Sequence, residues 1–463
     1  MDDLRANRSL HDIDREAVFH PNTAIAEHLV RGPTIIEAAD GVRVRDGAGR
    51  VWLDAMAGLW CVNVGYGRRE LAEAGAKALA ELGYFHTFAS MSNPPMIRLA
   101  DKIVQLLRDE AGLPQLSKVF FANSGSEANE TAFKLVRYFN NLRGQPKRKK
   151  VIARLGGYHG TSVASASLTG IAYYHRAFDL PIEGVLHTAC PHHFAFAHAG
   201  ESEEAFSSRL AAELAALIEA EGAETIAAFF AEPVMGAGGV MMPPRGYFDA
   251  IQPILKANDI LFVVDEVICG FGRLGAWFGS GAHGLAPDLL TFAKGVTSGY
   301  FPTSGVVVSD DVWGVLAEGS REIGAFAHGY TYSGHPVGGA IGLANLALIE
   351  EEGLVAKAAA TGAYFKQALQ ARLGEHPNVG DIRGEGLMLG IELVADRQTG
   401  RRLPIGDASH RNVAAAAFER GLITRPMVYA PVNAFSPALT FTRADVDETV
   451  DLYARALADV FAA

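Results

Sequence analysis

Five short runs in the middle of the chain are apolar almost from end to end: Lys118–Ala122, Lys150–Arg154, Ile226–Ala231, Ile260–Asp265 and Leu289–Ala293. A strand with one wet face alternates in polarity, whereas a strand covered on both faces does not. Between the runs lie stretches of helical spacing, of which Glu203–Glu221, rich in Ala, Leu and Glu, is the clearest. Strand and helix in alternation predict an α/β fold with a mostly parallel sheet. In such sheets ligands bind outside the carboxyl ends of the strands, so chemistry is expected in the residues that follow each run.

The two ends of the chain read differently. Residues 42–54 have the pattern of a small hairpin turning at Asp46-Gly47. Beyond Gly338 come long amphipathic helices and short strands, including Gly390–Val394. The expected division is a large domain over residues 60–337 and a smaller α+β domain built from residues 1–59 and 338–463. A chain of 463 residues is long enough for both cores. Its net charge of −11, with no basic stripe along a helix, argues against a nucleic-acid partner. The one basic run, Lys147 to Lys150, follows Gln145-Pro146 and reads as a solvated turn before a strand. Cys61, Cys190 and Cys269 are far apart and odd in number, which speaks against a disulfide framework and for a reducing compartment. The opening Met1–Arg5 is polar, unlike a secretory signal, and no apolar run approaches the roughly 20 residues of a membrane span. A cytoplasmic protein is expected.

Four elements sit where the sheet rule places chemistry. The first is Phe120–Asn129, in which a strand gives way to Ser124-Gly125-Ser126 and then to a helix with apolar positions at 128, 132, 135, 136 and 139. Ser124 and Glu127 have capping-box spacing, and free N–H groups beside two hydroxyls can cradle a phosphate; a plain capped helix would look the same. The second is Gly156-Gly157-Tyr158-His159-Gly160, where glycines admit a ligand and an aromatic can lie against a planar ring, although such a loop is often only a turn. The third is Asp265-Glu266 at the end of a buried run. A carboxylate there needs a positive partner, which could be a pyridinium N–H, a metal or a helix N-terminus. The fourth is Lys294. A lysine closing an apolar run is ordinarily surface-bound, but a desolvated amine can be the neutral nucleophile of Schiff-base chemistry. In this order the four match a phosphate cup, a ring stacker, a pyridinium partner and a Schiff-base lysine.

At this point the chain resembles the class III (ω) aminotransferases of pyridoxal 5′-phosphate (PLP) fold type I. The resemblance runs from Asp54–Gly67 through Ser124–Asn129, Gly157–Gly160, Glu232-Pro233-Val234, Asp265–Arg273 and Lys294-Gly295 to His328–Pro336. It is nearest to the ω-transaminases that use pyruvate as acceptor, with taurine:pyruvate aminotransferases close behind. The resemblance implies that Lys294 carries the cofactor and shuttles the proton, and that Asp265 pairs the pyridinium nitrogen. Tyr158 would stack on the ring and Val267 would pack its other face. Ser124, Gly125 and Ser126 would hold the phosphate, with His159 and Glu232 also counted among the cofactor's neighbours. Thr331 would reach the phosphate of a partner subunit, so the active unit would be a homodimer, possibly paired into a tetramer. Trp60 and Phe88 would wall the substrate pocket, Phe88 from across the interface.

Two positions bear on substrate. Arg425 matches the family's mobile arginine, which grips a substrate carboxylate and swings away for an apolar amine. Ala237 stands where relatives that take ornithine or γ-aminobutyrate carry glutamate, and a small residue leaves room for bulk. The resulting expectation is a ping-pong transfer from a bulky or apolar primary amine to pyruvate. The alternatives are an ω-amino acid or taurine donor, another PLP reaction such as an aminomutase, or a non-catalytic protein that keeps the fold. No metal is expected: His187–Phe194, with its histidines, Cys190 and Pro191, lacks the paired ligand spacing of a metal site and reads as a loop.

Overall fold

The computed structural model describes residues 8–404 and 406–461. The polar opening Met1–Arg5, read above as unlike a signal segment, lies outside them. The central sheet has seven strands: β1 (Leu116–Ala122), β2 (Lys150–Arg154), β3 (Val185–Thr188), β4 (Ile226–Ala231), β5 (Leu261–Asp265), β6 (Leu289–Phe292) and β7 (Ser304–Ser309). Their spatial order is β1-β7-β6-β5-β4-β2-β3. The pairs β2–β3, β2–β4, β4–β5 and β5–β6 are parallel. Only β7, between β1 and β6, runs antiparallel to its neighbours.

The five apolar runs are therefore all strands, within one or two residues at their ends. Sequence periodicity does not show β3, where His187 and Thr188 interrupt the apolar pattern, or β7, whose three valines are bounded by serines. Strands β4 to β7 are buried throughout. The edge strand β1 is not: only Leu116 and Ala122 are buried, and Lys118 is exposed.

The buried strands feed two separate cores, because successive side chains point to opposite faces. On one face, the helix Gly125–Leu142 packs Ala128, Ala132, Leu135, Val136 and Phe139 against Val151, Ala153, Phe230 and Val263. These are the five helix positions that the spacing predicts. On the other face, Glu203–Glu221 and Tyr247–Ala257 cover Ile152, Phe229, Phe262 and Val264. Truncating one such phenylalanine to alanine would cost about 3–5 kcal/mol.

The two ends of the chain share a sheet: Leu422–Ile423 runs parallel to Val51–Asp54, with Leu422 opposite Leu53. The expected hairpin forms between Arg43–Asp46 and Val51–Asp54, but its loop is longer than an Asp-Gly turn. Asp46 closes it by accepting from the N–H groups of Ala48 (3.0 Å) and Arg50 (2.9 Å). A further sheet joins Val379–Glu385, Met388–Asp396, Val432–Phe435 and Arg425–Pro426. The helix Pro336–Glu351 runs unbroken through residue 338, so a division there would follow packing and not a break in the chain.

The basic run is a turn before β2, as expected, but Arg148 is buried, not solvated. Its Nη1 donates to the carbonyls of Ala223, Ile226, Asn258 and Asp259 at 3.0–3.1 Å. The three cysteines are free. Among the described residues no helix is long and apolar enough to cross a membrane.

Candidate active site

At the carboxyl ends of β2, β4, β5 and β6 the chain leaves a cavity lined by Gly125, Ser126, Tyr158, His159, Glu232, Asp265, Val267 and Lys294, together with Asn129, Gly160 and Ile268. Eight residues inferred from the sequence thus come together in one place. Lys294 enters in the left-handed region, φ 47°, just after β6; a non-glycine residue held there is a strained position of the kind that clusters at functional sites.

Asp265 is 3 % exposed and ends β5. One carboxylate oxygen, Oδ2, meets Asn129 Nδ2 at 2.7 Å and His159 Nδ1 at 2.8 Å, while Oδ1 accepts from the Val267 N–H at 3.0 Å. The bonds orient the group and leave it acceptor capacity towards the cavity. Asn129, which sequence reasoning left without a role, lies one helical turn inside Gly125–Leu142 and is 1 % exposed. It also donates to the His159 carbonyl (2.8 Å) and accepts from Thr291 (3.0 Å), tying the helix to β6. A polar residue next to the apolar stripe of the helix was the available signal, one that Thr131 and Asn140, also buried, share.

Glu232 is buried and spans two loops: Oε1 accepts from the Tyr158 N–H (3.1 Å) and Oε2 from the Gly236 N–H (2.8 Å). Burial raises its pKa above the usual carboxylate range. Tyr158 stands edge-on to Tyr174, with ring centroids 5.3 Å apart. Burial pushes its hydroxyl up to about 12, with Tyr174 adding to the push and the Arg425 charge opposing it. Burial raises the Tyr174 hydroxyl too, and the Arg425 charge opposes that rise in the same way. Its strand, Arg425–Pro426, pairs with Val432–Phe435.

The helix start offers a cup. Ser124 caps the helix by accepting from the Glu127 N–H, but the reciprocal half of the capping box is absent: Glu127 turns to the Asn123 N–H (2.8 Å) and side-chain amide (2.9 Å). Ser124 is itself exposed and does not line the cavity. A Cβ on Gly125 would lie 2.9 Å from Val267, and one on Gly160 would lie 2.6 Å from Ser126 Oγ. Only glycine leaves the cup open at these two points. Within the pocket wall, His159 Nε2 is buried without a protein hydrogen-bond partner. An open glycine-lined cup with a serine hydroxyl, an oriented buried carboxylate and a lysine amine fit a phosphorylated, cationic-ring aldehyde.

The remaining predicted residues fall elsewhere. Trp60 is buried in an apolar cluster with Ile268, Met388 and Met427, and Ala237 packs against that cluster, so Ile268 joins it to the cavity. Phe88 and Thr331 do not line the Lys294 cavity. Phe88 lines a separate cleft of about 410 Å³ with Phe120, Phe326 and His328, and the exposed Thr331 accepts through its carbonyl from Tyr84 (2.6 Å).

The histidine-rich segment is only partly a loop: His187 and Thr188 end β3, His193 and Phe194 begin a short helix, and His192 between them has a structural role. His192 Nε2 meets Glu392 at 2.7 Å, and the same carboxylate accepts from Arg383 (2.8 Å) and Arg402 (2.9 Å). Burial works to raise the Glu392 pKa, but His192 and Arg383 outweigh it and hold it at about 2. A depressed folded pKa contributes stability above the unfolded value, lost as pH falls through the folded one. Glu392→Gln should therefore destabilise the protein by about 3 kcal/mol near neutral pH, because it removes the buried anion shared by His192, Arg383 and Arg402 and leaves Arg383 only the more exposed Asp381. In urea titrations the gap between wild type and variant should close as pH falls from about 4.5 towards about 2. A gap that did not narrow with acid would show that the charge is not the source.

The outer cluster Asp14, His20 and His28 is the only group among the described residues with metal-ligand proximity. Both imidazoles approach one Asp14 oxygen, His20 through a hydrogen bond of 2.9 Å.

Residues 25–457 match the Aminotransferase class-III family model, and the chain belongs to that family. It is 46 % identical over 458 residues to the diaminobutyrate–2-oxoglutarate transaminase of Halomonas elongata, covering 98 % of this chain and 97 % of that one. It is 43 % identical over 425 residues to the mitochondrial γ-aminobutyrate transaminase 1 of Solanum lycopersicum, covering 92 % and 81 %. The structure resembles the ω-transaminase of Pseudomonas jessenii solved with PMP, with a TM-score of 0.94, 45 % identity and 98 % coverage of each chain. The protein is therefore a PLP-dependent aminotransferase of fold type I.

Proposed function

We propose that this aminotransferase takes its amino group from a bulky or apolar primary amine and delivers it to pyruvate. What supports the reading is the apolar cluster of Trp60, Ile268, Met388 and Met427, with the small Ala237 packed against it, which Ile268 joins to the cavity and which would form the donor wall. PLP, when bound, supplies an aldehyde that accepts the amine and a ring that takes up the electrons released at the donor carbon. Lys294 would hold the cofactor, and its Nζ would take the proton from that carbon. Asp265, oriented by Asn129 and His159, would keep the ring nitrogen protonated, and Tyr158 and Val267 would lie against the two ring faces. Gly125 and Ser126 would receive the phosphate, while Ser124 caps the helix outside the cavity.

Arg425, whose charge acts on both Tyr158 and Tyr174, would meet a substrate carboxylate. One cation suits a monocarboxylate such as pyruvate. Arg425→Ala should raise the KM for pyruvate by about 10- to 100-fold, the scale of a lost charged hydrogen-bond pair, and leave the apolar amine half-reaction within about threefold. Equal losses in both halves would show that Arg425 is not the carboxylate partner.

A second reading, an ω-amino acid donor or a 2-oxoglutarate acceptor, is supported by the kinship with the diaminobutyrate and γ-aminobutyrate transaminases. Ala237 weighs against it, since it gives a second polar end of the donor no partner. Phe88 and Thr331 would complete the site of a second copy across the exposed face that carries Tyr84, Phe85, Phe88 and Tyr332. A homodimer in the cytoplasm, with residues 60–337 as its large domain, is the form this reading implies.

A further inference from the structure

Four parts of the chain distant in sequence converge on one buried charge group behind the donor wall. Glu392, 1 % exposed, accepts from His192, Arg383 and Arg402. Arg383 Nη1 also donates to Asp381 at 2.9 Å, and the guanidinium reaches the turn that carries Ala237: Nη2 donates to the Gly239 carbonyl at 2.6 Å and Nε to the Val240 carbonyl at 2.8 Å. The same turn is tied at its other end, where the Gly236 N–H meets Glu232, which in turn holds the Tyr158 N–H. Met235 and Met241 pair across its base. Glu392 also lies on the strand Met388–Asp396, opposite Val432, and Val432–Phe435 is the strand that holds Arg425 in register.

We infer that Arg383, fixed by Glu392, is a positioning residue that sets the distance between the Ala237 turn and the Arg425 strand, and so the width of the donor pocket. The reason is geometric. The turn Gly236–Val240 contains three glycines in five residues, so its backbone has little rigidity of its own. Its position is set by what grips it. A bidentate guanidinium gripping two successive carbonyls fixes orientation as well as distance, which a lysine ammonium cannot do. Glu392, with Asp381 beside it, supplies the countercharge that makes the buried guanidinium tolerable. Arg383 touches neither the Lys294 cavity nor any residue proposed to hold the cofactor. Loosening it should therefore alter how a bulky donor fits while leaving the chemistry intact.

This inference rests on the amine:pyruvate reading, and its test separates the two. The holoenzyme and the variants Arg383→Lys and Arg383→Met are compared with two donors, an α-methyl arylalkyl amine and alanine, each with a keto-acid acceptor and with the bound-cofactor absorbance recorded. The expected result is a rise of about tenfold or more in KM for the aryl amine, the scale of a hydrogen bond to a charged group. The kcat, the cofactor band and the KM for alanine should stay within about threefold, because alanine does not reach the Ala237 turn. Arg383→Lys, which keeps the charge and loses the fork, should show the same split, so the result does not depend on the harsher variant folding. A loss shared equally by both donors, or an unchanged aryl amine KM in Arg383→Lys, would overturn the positioning role. Wild type that fails to turn over the aryl amine at all would instead overturn the donor reading, before any variant is compared.

Discussion

Lys294→Ala is expected to abolish turnover, by at least about 10³-fold, while the protein still folds. The amine is the only lysine lining the cavity, which Asp265 and Tyr158 also line, and it follows β6 after Ala293. No neighbouring side chain in that lining offers a second amine. Folding should survive because alanine meets the same backbone cost as lysine at φ 47°, and the flanking Gly295 and Val296 remain buried. Circular dichroism and elution volume test the fold, and steady-state rates test the chemistry. A variant with unchanged activity would refute the assignment.

Asp265→Asn should lower kcat roughly 10- to 100-fold, the span expected for losing a hydrogen bond to a charged group. Both oxygens of the wild-type carboxylate accept: one from Asn129 and His159, the other from Val267. An amide has one acceptor and one donor end, so either orientation turns an NH₂ towards existing donors. The substitution thus removes the anion and disturbs its supports together. His159→Gln, which leaves the anion in place, should cost clearly less. If the two variants lose rate equally, the negative charge of Asp265 is not what the reaction uses.

Much of this architecture is legible in the sequence because buried strands have no wet face to encode. Ile226–Ala231 and Lys150–Arg154 could be read with their observed bounds for that reason. The strand Ser304–Ser309 is equally buried, yet two serines and a glycine shorten its apolar run to three valines. Its antiparallel direction depends on pairing with β1 and β6, which no local pattern records. At the site, the residues that end strands were visible because a charged group after an apolar run is unusual. Asn129 and the Arg383–Glu392 pair were not, since Asp265 lies 136 residues from Asn129 and the Gly239 turn 144 residues from Arg383. The His192 loop shows the same limit: as a loop it is plain, and only the fold brings Glu392 to meet it.

The most direct test of the donor and acceptor together follows the visible absorbance of the purified holoenzyme in two additions. An apolar arylalkyl amine is added first, with no acceptor present, and then either pyruvate or 2-oxoglutarate. The account predicts that the bound-cofactor band is lost with the amine, restored by pyruvate, and restored poorly by 2-oxoglutarate. A band that the aryl amine leaves untouched, or that only 2-oxoglutarate restores, would contradict it.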